Sequence, residues 1–157
     1  MIAISKTGLC IDPRFKLEFY LTHELIDPFN IDLQGWTDDW YEKDNRHQGW
    51  HIVRENLAKN IKETGQRNPV CLIYKDGKYI CTHGRQRTTA MRDIPLEKIR
   101  CIVKYKELKD VPQEYMITSL QQFQSCFVDK IKRIHVHGSS LEVIVEDEKS
   151  WSPDDYR

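Results

Sequence analysis

Residues Val70 to Asp93 read VCLIYKDGKYICTHGRQRTTAMRD, and no other stretch restricts the fold as strongly. Two apolar runs, Val70 to Tyr74 and Lys78 to Cys81, flank Asp76-Gly77. Aspartate followed by glycine suits a type I′ hairpin, in which both turn residues take positive φ. The second run enters Thr82-His83-Gly84, and a helix is predicted from Arg85 to Arg92, ending near Ile94-Pro95. A glycine at a strand-to-helix junction lets the backbone come close to a ligand. The first turn of a helix carries unpaired N–H groups and the positive end of the dipole. Arg85 and Arg87 add guanidinium forks that match phosphate, and Gln86, Thr88 and Thr89 occupy the same turn. The segment reads as an anion site suited to a nucleotide phosphate. The same residues would also describe a basic helix start facing solvent.

Charge supports a local site rather than a global field. Lysine and arginine number 24 and so do the acids, for a net charge of zero. Yet Arg85 to Lys109 holds eight basic residues against three acids. The acids gather at Asp38 to Asp44 and from Glu142 to Asp155. A basic region in a neutral chain fits a small anionic ligand at least as well as a DNA track. Five cysteines lie far apart with no C-x-x-C pair, which excludes a zinc ribbon or thioredoxin-like motif and implies a reducing cytosol. No secretory leader and no apolar stretch of membrane-spanning length is visible, so no membrane role is expected.

Around this centre the chain reads as a small α/β (α+β) domain. Residues Lys16 to Leu21 alternate as a strand, and Pro28 argues against a long helix in Thr22 to Pro28. Phe29 to Gln48, with Trp36, Trp40 and Tyr41 among acids, reads as a long loop or short irregular helix that covers a pocket or packs on the domain. Val53, Leu57 and Ile61 recur on one helical face, and Gly65 is the stop signal. A strand is predicted at Ile99 to Tyr105. Beyond it, Val111 to Phe127 reads as a helix with Tyr115, Met116, Leu120, Phe123 and Phe127 as its stripe. Ile131 to Val136 and Leu141 to Val145 read as a hairpin around His137-Gly138-Ser139-Ser140, before a polar tail. The expected division is a domain over 1–109 and a helix–hairpin appendage with an acidic tail over 110–157.

The order of elements from Val53 to Tyr105 resembles the nucleotide-binding domain of the ParB/sulfiredoxin superfamily. The matching residues are the helix RENLAKNIKETG, the segment Gly65-Gln66-Arg67-Asn68-Pro69, the Asp-Gly hairpin, Gly84-Arg85-Gln86-Arg87-Thr88-Thr89-Ala90 and the strand CIVKY. LTHELIDPFNI is a weaker echo of the first conserved segment. The resemblance covers about a third of the chain closely. It implies a small mixed sheet with packed helices, and a phosphate-binding turn at Gly84, Arg87 and Ala90. The ligand implied is a nucleoside triphosphate (ATP or CTP) with Mg2+. Sulfiredoxins carry the catalytic cysteine directly after this glycine, where Arg85 stands here, so their reaction is not expected. Partition ParB proteins often carry a glutamate there, so its replacement by Arg85 puts CTP hydrolysis in doubt. The chain after Lys106 is too short for both further domains of a partition protein. A compact domain of this type with its own tail suits a phage or mobile element.

Individual residues keep two readings each. In some superfamily members a glutamate of a His-Glu pair lies beside the phosphates; Glu24 would then hold magnesium or act as base, and is otherwise a surface residue at a turn. His83 would bond a phosphate oxygen or shuttle a proton, or else bond a backbone carbonyl. Asn68 would read a base edge or cap the turn before Pro69. His135 and His137 share a strand face, a spacing that can begin a metal site but lacks a third ligand nearby. Lys130 to Arg133 form a basic cluster that would touch nucleic acid or a partner, or protect a hairpin edge. Three functions follow: a stand-alone domain that binds a nucleoside triphosphate and hydrolyses it or transfers its phosphate; a DNA-binding or DNA-cleaving module; and a non-catalytic regulator with a protein partner on the C-terminal hairpin.

Overall fold

The computed structural model describes residues 3–5, 8–10, 18–35, 49–137 and 140–145, with the backbone alone for 3–5, 8–10, 18, 120, 135–137 and 140. The expectations for Trp36 to Gln48, for the turn residues Gly138 and Ser139, for the tail from Glu146 and for the side chains of His135 and His137 lie outside the described residues.

The strands are β1 (Ala3–Ser5), β2 (Gly8–Cys10), β3 (Glu18–Ile26), β4 (Ile31–Asp32), β5 (Val70–Lys75), β6 (Lys78–His83), β7 (Ile99–Tyr105), β8 (Ile131–His137) and β9 (Ser140–Val145). The helices are α1 (Trp50–Thr64), α2 (Arg85–Met91) and α3 (Leu120–Ser125). One mixed sheet has the order β1-β2-β3-β7-β5-β6-β4, and β8 and β9 form a separate pair. β5 runs parallel to β7 and β4 parallel to β6, while β3 lies antiparallel to β7. This is the α/β architecture expected from the sequence, a mixed sheet with packed helices and a C-terminal helix and hairpin.

Local chemistry explains the elements near the centre. Asp76 and Gly77 have φ of 52° and 77°, as a type I′ turn requires, and β5 pairs with β6 across them. Trp50, Val53, Leu57 and Ile61 form the buried stripe of α1. The helix stops at Gly65, whose N–H closes on the Ile61 carbonyl at 2.7 Å.

Two apolar layers sandwich the sheet. On one face, Leu57 and Ile61 of α1 and Ala90 and Met91 of α2 pack with Leu72, Cys81, Cys101 and Val103. On the other, Phe123, Cys126, Phe127, Leu141, Val143 and Val145 cover Phe19, Leu21, Cys71 and Ile102. α3, the residues just after it and β9 thus supply the second layer of the core. Phe123 is fully buried there, and truncation of such a phenylalanine costs about 3–5 kcal/mol.

Three elements differ from expectation, the first being Ile31–Asp32, which lies in the stretch read as a loop from Phe29 and pairs as β4 with β6. Val111 to Phe127 is not one helix. A 3-10 turn at Gln113–Tyr115 precedes α3, and Tyr115 is half exposed. Between them Met116 bridges Thr22, and the Ile117 N–H donates to the Leu21 carbonyl at 2.7 Å. β2 pairs with β3 only as far as Phe19, so the next edge groups of β3 need partners, and this segment supplies them in extended form. Ser119 then caps α3 by accepting from the Gln122 N–H. The strand expected at Lys16 to Leu21 is also longer. β3 continues to Ile26 because β7 pairs with it along its length, and a 3-10 turn at Pro28–Asn30 ends the extended run.

Candidate functional site

The sheet register places several chemically interesting residues in neighbouring rows. His83 of β6 pairs with Cys71 of β5; Val70 pairs with Cys101 of β7, and Cys101 with Glu24 of β3. Gly84 follows His83 and opens α2 with φ of +103°. A Cβ there would lie 3.0 Å from Nη2 of Arg87 and 3.2 Å from Cγ1 of Val70, against a side chain and a strand that leave it little room.

Arg87 folds back over this turn. Its Nη1 donates to the Asn68 carbonyl at 2.9 Å, which fixes the guanidinium beside Gly84. Arg85 reaches the other side, where Nη2 donates to Oε1 of Gln34 at 3.2 Å. Gln34 itself has φ of +58° in the turn after β4. Gln86 is partly buried on the same turn. Thr88 and Thr89 are buried, and their hydroxyls donate to the Gly84 and Arg85 carbonyls at 2.8 and 2.9 Å. Their protons serve the helix itself, which narrows the donor set at the tip to backbone N–H groups, Gln86 and the arginines.

Glu24 lies on the same sheet face as α2. Its Oε2 accepts from the hydroxyls of Thr22 and Tyr105, both at 2.5 Å, and the residue is 9% exposed. Burial first, then the Glu24 carboxylate, pushes the Tyr105 phenol far above its usual range, so it remains a donor. The Cys101 thiol feels both flanking charges: burial raises its pKa most, Glu24 raises it further and Arg87 lowers it. Glu24, Cys101 and Val70 share one row of the sheet, and Val70 lies against Gly84. The pleat sends His23 to the opposite face, where burial and then Arg100 lower its pKa.

His83 is 24% exposed, and its Nδ1 stands 3.9 Å from Oε1 of Glu142 on β9. Thr82 beside it donates to the Leu141 carbonyl at 3.1 Å. The C-terminal hairpin thus abuts the strand that ends at the site. Asn68 is 4% exposed and its carboxamide is occupied: Oδ1 accepts from the Val128 N–H at 3.1 Å, and Nδ2 donates to Asp129 at 2.9 Å. Nothing within the neighbouring sequence signalled Gln34, Tyr105, Asp129 or Glu142, because each arrives through distant strand pairing or packing.

The thiols near the site, Cys71 and Cys81, are buried. Burial pushes Cys81 up to about 11 and Cys71 up to about 12, against the lowering effect of nearby arginines. Among the described residues no three His, Cys, Asp or Glu side chains gather as a metal cage. No helix among them is long and apolar enough to cross a membrane.

The basic run is also less of a surface than its composition implied. Arg92 donates to the Pro28 and Ile31 carbonyls, and Arg100 to those of Gln66, Arg67 and Cys126. Lys104 is buried with its ammonium 4.5 Å over the Phe19 ring. Arg92 and Arg100 tie distant segments together, and all three cations are turned inward.

The chain is similar in structure to a sulfiredoxin from Arabidopsis thaliana, at 20% identity and a TM-score of 0.41, over 52% of this chain and 82% of that one. It is similar to a Pnob8-like ParB N-domain at 17% identity and a TM-score of 0.39, over 59% and 32%. A C-terminally truncated chromosome-partitioning protein ParB from Caulobacter crescentus, complexed with CTP-gamma-S, matches at 16% identity and a TM-score of 0.40, over 56% and 46%. The chain thus spans less than half the length of either ParB chain. No protein-family model and no curated protein matches it.

Proposed function

We propose that this domain binds the phosphates of a nucleoside triphosphate at the Gly84 turn. The observation that carries the reading is the anchored guanidinium: Arg87 is held by the Asn68 carbonyl at 2.9 Å, directly over a glycine that a Cβ would crowd. A fixed fork beside the N–H groups of a helix start is pre-organised for phosphate oxygens. The sequence resemblance to ParB-like domains favours ATP or CTP as the nucleotide. Arg85 and Arg87 neutralise charge, with Gln86 and the first N–H groups of α2 as donors.

Glu24 is the carboxylate proposed to meet a magnesium ion. Mg2+ in such sites typically takes one or two carboxylates together with substrate phosphates, so a single glutamate on the α2 face fits that chemistry. A bound ion would supply charge neutralisation for the phosphates. His83 is the proposed proton-handling group, placed one residue before the turn. If chemistry follows binding, it is hydrolysis or phosphoryl transfer, which rests mainly on positioning and charge.

Calorimetric titration of the full chain with ATP, CTP, GTP and UTP, each with magnesium, tests the reading. Binding of at least one, lost in Arg87→Ala, is the expected result. Binding to none, or affinity that Arg87→Ala leaves unchanged, rejects it.

A further inference from the structure

Asp129 belongs to the C-terminal appendage, outside the region that carries the sequence resemblance, yet it is built into the support of Arg87. Its side chain is 1% exposed. A buried carboxylate needs charged or hydrogen-bonding partners, and two converge on it. The Arg67 guanidinium pairs with both oxygens, and Nδ2 of Asn68 donates to Oδ2 at 2.9 Å. The contact is reciprocal, since Oδ1 of Asn68 accepts from the backbone N–H groups of Val128 and Asp129 at 3.1 and 3.4 Å.

The Asn68 peptide is tied down from other directions as well. Its carbonyl accepts from Nε2 of Gln66 at 3.1 Å in addition to Nη1 of Arg87. Gln66 is itself bonded to the Arg100 backbone through both ends of its carboxamide. Arg100 then joins the Gln66 and Arg67 carbonyls to that of Cys126. Pro69 restricts the backbone of Asn68 further. The loop before β5 and the segment Cys126 to Asp129 thus form one hydrogen-bonded body, and Arg87 leans on it.

We infer that Asp129 is a positioning residue for the phosphate site, acting through Asn68 on Arg87. The inference rests on the proposed nucleotide binding and deepens it. The appendage would then be part of the binding machinery as well as a cover for the sheet. Loss of the Asp129 carboxylate removes the acceptor of Asn68 Nδ2 and the partner of Arg67, and so loosens the support behind the carbonyl that aims Arg87.

The test uses the full chain, wild type and Asp129→Asn, titrated with each magnesium nucleoside triphosphate. Asp129→Asn keeps the shape and an oxygen acceptor but weakens the Arg67 clamp. Affinity is expected to fall about tenfold, with the Arg87 Nη proton resonance broadened. A folded Asp129→Asn with wild-type affinity and an unchanged Arg87 resonance overturns the inference while leaving the binding site intact. Should the variant fail to fold, hydrogen exchange on the wild type decides. Coupling is reciprocal, so nucleotide must raise protection of the Val128 and Asp129 amides. Nucleotide binding without that rise overturns the inference. A wild type that binds no triphosphate removes the nucleotide reading first and this inference with it.

Discussion

Arg87 donates from Nη1 to the carbonyl oxygen of Asn68 at 2.9 Å, across 19 positions of sequence. That bond turns a mobile cation into a fixed one at the mouth of the Gly84 turn. It also links the start of α2 to the loop before β5, and through Asp129 to the C-terminal segment.

Gly84→Ala should damage both stability and binding. The φ of +103° disfavours any side chain, and the new Cβ would meet Nη2 of Arg87 at 3.0 Å and Val70 at 3.2 Å. A loss of about 1–3 kcal/mol in urea unfolding is expected, with weaker triphosphate binding by calorimetry. Wild-type values for both would remove the crowding argument.

Tyr105→Phe should destabilise the fold by about 1–3 kcal/mol, because it strips a donor from the buried Glu24 carboxylate. The loss should be smaller in a Glu24→Gln background, where the acceptor is neutral. Equal losses in the two backgrounds would mean that the hydroxyl does not serve Glu24. Chemical denaturation of the four proteins gives the cycle.

Lys104 makes stability depend on alkaline pH. Burial, with Lys106 adding to it, lowers its pKa from 10.5 to about 8. Between those values the unfolded chain holds the proton and the folded chain releases it. The unfolded state binds more protons there, so this lysine makes stability rise with pH from about 8 to 10.5. Its penalty on the fold is fully present below about 8. Lys104→Met should flatten that rise relative to wild type in urea titrations across the window. Parallel curves for the two proteins would show that the ammonium is not desolvated.

Duplex DNA should bind weakly if at all, even at low salt. Counterion release needs cations on a continuous surface, and Arg92, Arg100 and Lys104 are turned to backbone carbonyls and an aromatic ring. A steep salt dependence in a fluorescence anisotropy titration would restore the DNA reading.

Much of the α2 face was legible in the sequence. The Asp76-Gly77 turn, the stripe of α1 and the strand-to-helix junction at Gly84 depend on residues a few positions apart, and they stand where periodicity and turn chemistry put them. The Val111 to Phe127 stretch misled, because its apolar spacing fits a helix. Only the open edge of β3 makes an extended path preferable, and that edge exists only once the sheet has formed. The basic run misled only in part, since Arg92, Arg100 and Lys104 turn inward while Lys98, Lys106 and Lys109 are exposed. Composition counts cations but does not reveal which of them a distant carbonyl will take.

The amino-acid sequence by itself determined the local units and the chemistry of the turn: which residues bend, which helix follows, and that guanidinium groups stand at its tip. Tertiary structure alone decided what those groups touch. Tyr105 reaches Glu24 across 81 positions and Asp129 reaches Asn68 across 61, so no local spacing could have paired them. The physical reason is range. Turn and helix preferences are set by neighbours along the chain, whereas a buried charge is satisfied by whatever the folded sheet carries within hydrogen-bond distance.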